Sequence, residues 1–424
     1  MTATDHASDP TRVRSGGPGR PSTLARPSAP AAAVAQLRWF STLWAMALTF
    51  HFVELQPRGV LPVLLVAVPA LLMPGSGFAC ALVLTATAVV ALVSLPMTAN
   101  HLVLGLVVAV VLGVAAIHPR VIRRRGDTTA VERWLDTVRT PVVLVLLVVY
   151  FFAVFHKLNT AFFDPATSCA QTLFAHLVQR SGLGALSLDP SVVGAIAVAT
   201  VLTEGALLVL LARPSWRCWG VLLGVGFHTV LALTGFAHFT TFVFALYVLV
   251  VPRAVFRAAA PQWTRARGIA LAGFAVHVLL GVGAAAAGTA LSPVGLPWTS
   301  LLGASWLVAV GSLMVPLVRG CLSARTTHRP GRPRTPAVLL LVPLLAFANG
   351  ALPYLGLKTV ASYAMYSNLR TEEGSTNHVI SAVSALQVTR YQRDTVTVSA
   401  LLLPESIDLT PPQVVLAGHR DLLT

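Results

Sequence analysis

The chain has few charged side chains and almost no lysine. Charged residues make up 11% of the 424 residues, whereas hydrophobic residues make up 55%. A soluble domain needs a more polar exterior, so this composition excludes a soluble globular protein. Among the 30 Lys and Arg residues, only Lys157 and Lys358 are lysine. Codon bias towards arginine explains why lysine is scarce, but it does not explain where these two residues lie.

Cysteine is also scarce, with four residues and no CxxC pair. The sequence therefore gives no indication of zinc or thiol-redox chemistry at paired cysteines. The topology derived below predicts Cys80, Cys218 and Cys321 near the cytoplasmic side and Cys169 on the opposite side. Because no two cysteines share an oxidising compartment, we predict no structural disulfide.

Long apolar segments dominate the remaining sequence. About eleven of them have roughly the 17–22 residues that cross a bilayer core. They lie near residues 36–55, 59–74, 77–95, 101–118, 140–157, 191–212, 217–235, 238–252, 268–288, 297–318 and 336–353. The predicted fold is an all-α polytopic membrane bundle of about eleven transmembrane helices.

The arginines cluster between these segments, and the clusters predict the topology. If every cluster lies in the cytoplasm, neighbouring clusters are separated by four, two, two and two spans. Each number is even, so the arrangement satisfies the positive-inside rule. We expect a multi-pass protein of the cell membrane with a cytoplasmic N-terminus and an extracytoplasmic C-terminus. The formal charge of +15 then reflects topology and attraction to membrane lipids, and no nucleic-acid binding is predicted.

Three regions follow from the composition along the chain. Residues 1–33 are rich in Pro, Ala, Ser, Gly and Arg, which predicts a disordered cytoplasmic tail. Residues 34–353 form the bundle. Residues 354–424 form a short extracytoplasmic α/β or β-rich tail, with paired strands around 379–388 and 395–403, which we expect to pack on the outer face of the bundle. Residues 158–190 are interpreted as an interfacial cover or a lid.

Few ionisable residues lie inside the apolar segments, where such residues usually face the protein interior. Glu204 is the only acidic residue well inside a span, and His228 is deep in the next one. At about 1.5 Å per residue, both lie roughly 16–20 Å above the turn at Ser215. Lys157 and His156 end their own span, so an amine, imidazoles and a carboxylate are expected in one half of the bundle. The alternatives are that Lys157 snorkels to the interface and that Glu204 and His228 form a packing pair.

Three further histidines, His51, His101 and His238, fall near the outer ends of spans. Taken individually, they are interpreted as structural or interfacial. No H-x-x-H or E-x-x-H spacing is present, so no metal site is predicted.

The end of the fifth segment carries a family resemblance. The run Tyr150-Phe-Phe-Ala-Val-Phe-His-Lys157-Leu158-Asn159 resembles the membrane domain of vitamin K-dependent gamma-glutamyl carboxylases. Bacterial relatives of that domain are the horizontally transferred transmembrane (HTTM) proteins. Val154 stands where the family motif has glycine. The similarity continues downstream through Leu202–Leu211, Gly220–Leu231 and Thr240–Pro252.

The resemblance implies that Lys157 is the base that deprotonates reduced vitamin K or menaquinol. Glu204, His156 and His228 are the candidate residues beside it. His228 is expected to hydrogen-bond the substrate or to position it. The implied function is a quinol-dependent, carboxylase- or oxidoreductase-like enzyme. Quinol or oxygen chemistry is expected ahead of glutamate carboxylation, because no equivalent of the propeptide-recognising region is recognisable in residues 354–424. A non-enzymatic scaffold that binds a protein partner at its extracytoplasmic face is the alternative. A transporter is a third hypothesis, although no inverted repeat is evident.

Overall fold

The computed structural model describes residues 29–95, 98–118, 128–181, 189–287, 297–323, 335–371, 376–380 and 388. These residues form a bundle of α-helices. In chain order the helices are α1 (Ala29–Leu55), α2 (Val60–Leu72), α3 (Gly77–Val93), α4 (Asn100–Ile117), α5 (Thr128–Lys157), α6 (Thr160–Phe163), α7 (Cys169–Ser181), α8 (Pro190–Ala212), α9 (Arg217–Leu231), α10 (Ala237–Val250), α11 (Arg253–Ala259), α12 (Trp263–Ala287), α13 (Trp298–Ser323) and α14 (Ala337–Ala351).

Within these described ranges, seven helical stretches are long and apolar enough to cross a membrane. They are Asn100–Ile117, Ala130–Lys157, Pro190–Ala212, Arg217–Val250, Arg253–Ala287, Trp298–Ser323 and Ala337–Leu355. Pro57–Leu72 and Gly77–Val93 are shorter apolar helices. The helical membrane protein predicted from composition is confirmed, whereas the number of eleven spans is not.

Helix α1 lies at the centre of the bundle. Its residues from Trp39 to Phe50 are all buried, and it packs on α2, α5, α10, α11 and α12. It is not among the seven apolar stretches because it carries buried polar side chains, such as Gln36 and Thr49. Gln36 Nε2 donates a hydrogen bond of 2.7 Å to the carbonyl of Val248 on α10. A helix surrounded by protein does not need the uniformly apolar surface that lipid requires.

The stretch Arg217–Val250 contains two helices that fold back on each other. Gly235 has a φ of 115°, a conformation that glycine adopts without a Cβ penalty. Thr240 of α10 consequently bonds the carbonyl of His228 on α9, at 2.9 Å. The two helices correspond to the predicted segments 217–235 and 238–252, but together they make one of the seven candidate membrane stretches.

Arginines collect at one end of the bundle. Arg253 forms a salt bridge with Glu132 and a second one with Asp136, at 2.9 Å. Arg267 and Arg217 donate hydrogen bonds to carbonyls at the ends of α2 and α8. We call this the arginine end and the opposite end, where α5 stops, the Lys157 end. Which of the two faces the cytoplasm remains a prediction.

The chain after α14 packs on the Lys157 end. Asn349 donates to the carbonyl of Ala361, at 2.9 Å, and the amide of Tyr363 donates to Asn100 of α4, at 2.7 Å. The predicted strands fall largely outside the described residues, and positions 379, 380 and 388, which are described, are not in a strand. An isolated antiparallel bridge joins Asn159 and His378.

The predicted disordered N-terminal tail needs one correction. Helix α1 begins at Ala29, so residues 29–33 are helical, and residues 1–28 lie outside the described part of the chain. The three alanines at 31–33 favour continuation of the helix in the N-terminal direction, because alanine has the highest helix propensity.

Candidate functional site

Lys157 is the last residue of α5, and its amine is buried. The residue is 4% exposed, and its Nζ lies 2.9 Å from Oε2 and 3.1 Å from Oε1 of Glu204 on α8. Nζ also donates to the carbonyl of Ala153, one turn back, at 3.2 Å. Glu204 is 7% exposed. The snorkelling alternative is therefore wrong for Lys157, because the amine points into the protein and towards a carboxylate.

The Lys-Leu-Asn sequence explains why the helix stops at this point. Asn159 Oδ1 accepts a hydrogen bond from the amide of Phe162, at 2.9 Å, and so caps the short helix α6. Its Nδ2 donates to the carbonyl of His156, at 2.7 Å, and to the carbonyl of Ser367, at 2.5 Å. One buried side chain thus ends α5, starts α6 and anchors the chain after α14. The ring of Phe162 comes within 5.9 Å of Lys157 Nζ, measured to its centroid.

His228 lies in the same part of the bundle but does not bond Glu204. Its Nε2 is 2.7 Å from the hydroxyl of Tyr150, and that hydroxyl is 2.5 Å from the hydroxyl of Tyr247. The predicted packing pair of Glu204 and His228 is therefore wrong, because each side chain has a different partner.

The two tyrosines of this hydrogen-bonded group were missed by the sequence analysis. Tyr150 is seven residues before Lys157, which places both on one face of α5. That spacing could have identified Tyr150. Tyr247 had no such signal, because its position depends on the fold-back at Gly235. Gly224 leaves the room for it, since a Cβ there would lie 2.1 Å from the Tyr247 hydroxyl oxygen.

His156 is adjacent to Lys157 in sequence, but its side chain bonds a different helix. Its Nε2 donates to the carbonyl of Gly350 on α14, at 3.1 Å. Its ring packs against Phe152 and Tyr354. Consecutive residues of a helix are about 100° apart around its axis, so Lys157 and His156 face different neighbours. The side chain of His156 therefore bonds α14, whereas that of Lys157 bonds α8.

Two segments cover this end of the bundle. The amide of Cys169, at the start of α7, donates to Oδ1 of Asn368, at 2.8 Å, and Asn368 Nδ2 donates to the carbonyl of Thr167, at 2.8 Å. Ala361, Tyr363, Tyr366 and Asn368 all have positive φ values between 49° and 65°. Non-glycine residues rarely adopt this conformation, and it persists only where surrounding contacts hold it. Residues 182–188 of the predicted lid lie outside the described residues.

Lys358, the other lysine, has a different environment. It lies after the last apolar stretch and is partly buried. Burial lowers the pKa of its amine. It therefore offers a natural control for experiments on Lys157.

Two cavities lie elsewhere in the bundle. One of about 390 Å³ is lined by apolar residues of α3 and α4 together with Trp134 of α5. The other, of about 310 Å³, lies between α9, α10 and α13. Neither is lined by Lys157 or Glu204. Over the described ranges, no group of three or more His, Cys, Asp or Glu side chains is arranged to hold a metal ion.

Comparisons of this chain with protein-family models, with curated proteins and with solved structures returned no match.

Proposed function

We propose that this chain is a membrane-embedded enzyme in which Lys157, paired with Glu204, removes a proton from a weakly acidic hydroxyl group of a lipid-soluble substrate. The observation that carries the proposal is the buried contact of 2.9 Å between the amine and the carboxylate, inside apolar helices. Ionisable groups at such positions are costly and are usually retained for function.

The proton balance of the pair supports this role. A lysine–glutamate pair without net charge exists either as ammonium with carboxylate or as amine with carboxylic acid. In the second form the amine takes a substrate proton, and the pair then carries a charge of about +1 beside the new anion. We assign the acceptor role to Lys157, because proton transfer to Glu204 within the pair removes both buried charges and leaves the amine free to take the substrate proton.

Tyr150, Tyr247 and His228 are assigned to positioning. The Tyr150 hydroxyl contacts both the Tyr247 hydroxyl and the His228 imidazole. Tyr150 lies two turns before Lys157 on the same face of α5. This hydrogen-bonded group fixes the side chains around the amine and supplies donors that a substrate oxygen can meet. The aromatic ring of Phe162 contributes an apolar wall.

The substrate class comes from the resemblance to the HTTM proteins and the carboxylase membrane domain. It suggests reduced vitamin K or menaquinol, which supplies weakly acidic hydroxyl groups and reducing power towards oxygen when bound. The buried amine–carboxylate pair and the aromatic wall fit an apolar molecule that carries an acidic hydroxyl group. An extracytoplasmic protein partner is part of the same proposal, because the covering segment at residues 356–371 leaves the apolar side chains of Leu357, Val360 and Tyr366 exposed.

The test compares Lys157→Arg with Lys358→Arg in protein reconstituted with lipid and menaquinol. Arginine keeps the charge and pairs with Glu204, but it does not release its proton. We expect Lys157→Arg to lose oxygen-dependent menaquinol consumption and to keep its helical circular dichroism spectrum. Lys358→Arg should keep full turnover. Turnover in Lys157→Arg equal to that of the wild type rejects the base role.

A non-enzymatic scaffold is the second candidate. The observation that favours it is that neither cavity described above borders Lys157, while the amine already has three acceptor atoms within 3.2 Å. For this function the pair would only hold α5 against α8. Purification of the wild type from native membranes distinguishes the two, because bound quinone detected by mass spectrometry supports the enzyme and its absence supports the scaffold.

A further inference from the structure

The cavity of about 310 Å³ lies between helices α9, α10 and α13. Ligand sites in proteins have volumes of roughly 300–1,000 Å³, so the cavity is large enough for one slender molecule. Its lining includes Val225 and Thr229 of α9, Phe244 of α10 and several residues of α13 between Trp306 and Arg319. At about 1.5 Å per residue, the cavity follows α13 over a length of about 20 Å.

The lining is apolar except at Arg319, because its other polar side chains already have partners. The Thr229 hydroxyl donates to the carbonyl of Val225, at 2.7 Å. Nε1 of Trp306 donates to the hydroxyl of Thr241, at 2.9 Å. The other side chains of the lining are aliphatic, aromatic or methionine. A molecule in this part of the cavity would meet apolar surface, which favours a hydrocarbon chain over a polar ligand.

The cavity is bordered by side chains that face the lipid. Leu307 and Val315 of α13 line it, and they are 41% and 47% exposed. On a helix that crosses a membrane, exposed apolar side chains contact the hydrocarbon of the bilayer. A lipid can therefore enter the cavity sideways, from the bilayer itself.

Arg319 places a positive charge at one end of the cavity, and this is the arginine end of the bundle. Gly320, the next residue, packs against α11, since a Cβ there would lie 2.8 Å from the carbonyl oxygen of Val255. Helix α11 also carries Arg253, which belongs to the arginine end. Arg319 is exposed, so its guanidinium group is accessible at the mouth of the cavity.

The charge of Arg319 has no carboxylate partner among the described residues. Glu132 and Asp136, the described carboxylates of the arginine end, both pair with Arg253. No described Asp or Glu lines the cavity. A guanidinium group binds phosphate through parallel N–H donors. The ammonium group of a zwitterionic lipid would find no carboxylate here, so the site favours a head group with net negative charge.

We propose that this cavity binds one anionic phospholipid of the surrounding bilayer. The phosphate accepts hydrogen bonds from Arg319, and one acyl chain lies between α9 and α13 in the direction of Trp306. Half of the hydrocarbon core of a bilayer is about 15 Å thick, so one chain occupies most of the cavity. Basic pockets between transmembrane helices hold anionic head groups in this way. The site is separate from Lys157 and Glu204, which do not line this cavity.

The first test is native mass spectrometry of the full chain, titrated in detergent with phosphatidylglycerol or with phosphatidylethanolamine of the same acyl chains. We expect one phosphatidylglycerol to bind the wild type about tenfold more tightly than phosphatidylethanolamine, because a hydrogen bond to a charged group is strong. Arg319→Gln should lose this preference. Arg257→Gln, which removes another exposed arginine of the arginine end, should keep it.

Two glycines provide a matched pair for filling the cavity. Gly311 lines this cavity and Gly113 lines the other one. A Cβ at either position would meet no atom within 4 Å, so leucine has room at both. Gly311→Leu should abolish the tight binding of phosphatidylglycerol, whereas Gly113→Leu should leave it unchanged. Circular dichroism checks that both variants keep their helices, and Arg319→Gln tests the site independently if Gly311→Leu fails to fold.

Four results would overturn the proposal. The first is equal affinity of the wild type for the two lipids. The second is tight binding of phosphatidylglycerol that persists in a folded Gly311→Leu variant. The third is the same loss of preference in Arg257→Gln as in Arg319→Gln, which would indicate general attraction to a basic surface. The fourth is a bound quinone, in place of phospholipid, that disappears in Gly311→Leu.

Discussion

Lys157 and Glu204 are 47 residues apart in the chain, yet their charged groups lie 2.9 Å apart between α5 and α8. Each charge alone would be expensive at this depth, so each residue depends on the other. The pair can be tested for stability independently of any reaction.

Removing one charge should be far more damaging than removing both. Lys157→Met or Glu204→Met alone leaves a buried charge without a partner, and we expect a loss of about 3–5 kcal/mol in the free energy of unfolding. The double variant Lys157→Met/Glu204→Met should be neutral or up to about 4 kcal/mol more stable than the wild type. Steric trapping in detergent micelles measures these values.

A double variant as unstable as the single variants would show that the pair contributes to stability beyond charge compensation. If the double variant is stable but has no turnover, the chain keeps this pair for activity, although burying the two charges lowers the free energy of unfolding. Stable protein with full turnover would instead rule out a catalytic role for both residues.

Gly224 and Gly226 provide a matched comparison for the tyrosine group. A Cβ at position 224 would lie 2.1 Å from the hydroxyl oxygen of Tyr247, whereas a Cβ at position 226 would meet no atom within 4 Å. Gly224→Ala should therefore displace Tyr247 and cost about 1–3 kcal/mol. Gly226→Ala should be neutral or slightly stabilising, because alanine favours the helix. Equal unfolding temperatures for the two variants would contradict the position of Tyr247.

The height of a side chain along its helix could be predicted from the sequence, but the neighbouring helix that the side chain faces could not. Counting residues from Ser215 correctly placed Glu204 and His228 in the same part of the bundle. It did not show that Glu204 faces Lys157 while His228 faces Tyr150. A count of residues fixes height, whereas the side chains that meet depend on helix packing.

The membrane class followed directly from composition, but the individual helices did not. Helix α1 is a central helix with buried polar groups such as Gln36, but the segment 36–55 gave no indication that protein surrounds it. The contacts of His101 with His51 and His238 were missed for a related reason. Each of these residues lies near a helix end, and only the packing of α1, α4 and α10 brings them together.

Acid should weaken the attachment of the segment around His378. Its Nε2 donates to the carbonyl of Phe155, at 2.9 Å, and its Nδ1 accepts from the amide of Ile380, at 3.1 Å. Burial lowers the pKa of His378, so the detached segment binds a proton more tightly than the packed one. The packed state is therefore favoured at neutral pH and loses stability as the pH falls below the ordinary histidine value of about 6.5.

Hydrogen exchange can measure this effect at Val379, whose amide donates to the carbonyl of Leu158, at 2.9 Å. After correction for the intrinsic pH dependence of exchange, protection of Val379 should fall between pH 7 and pH 5 in the wild type. In His378→Gln it should no longer depend on pH. The same fall in both proteins would exclude His378 as the titrating group.

The most direct measurement is the absorbance of menaquinol mixed with the reconstituted protein in the absence of oxygen. Without oxygen the quinol is not oxidised, so the spectrum reports only whether the quinol has lost a proton. The wild type and Lys358→Arg should produce the red-shifted spectrum of an ionised quinol, and Lys157→Arg should leave the quinol neutral. An unshifted spectrum with the wild type, or an equal shift with Lys157→Arg, would contradict the account.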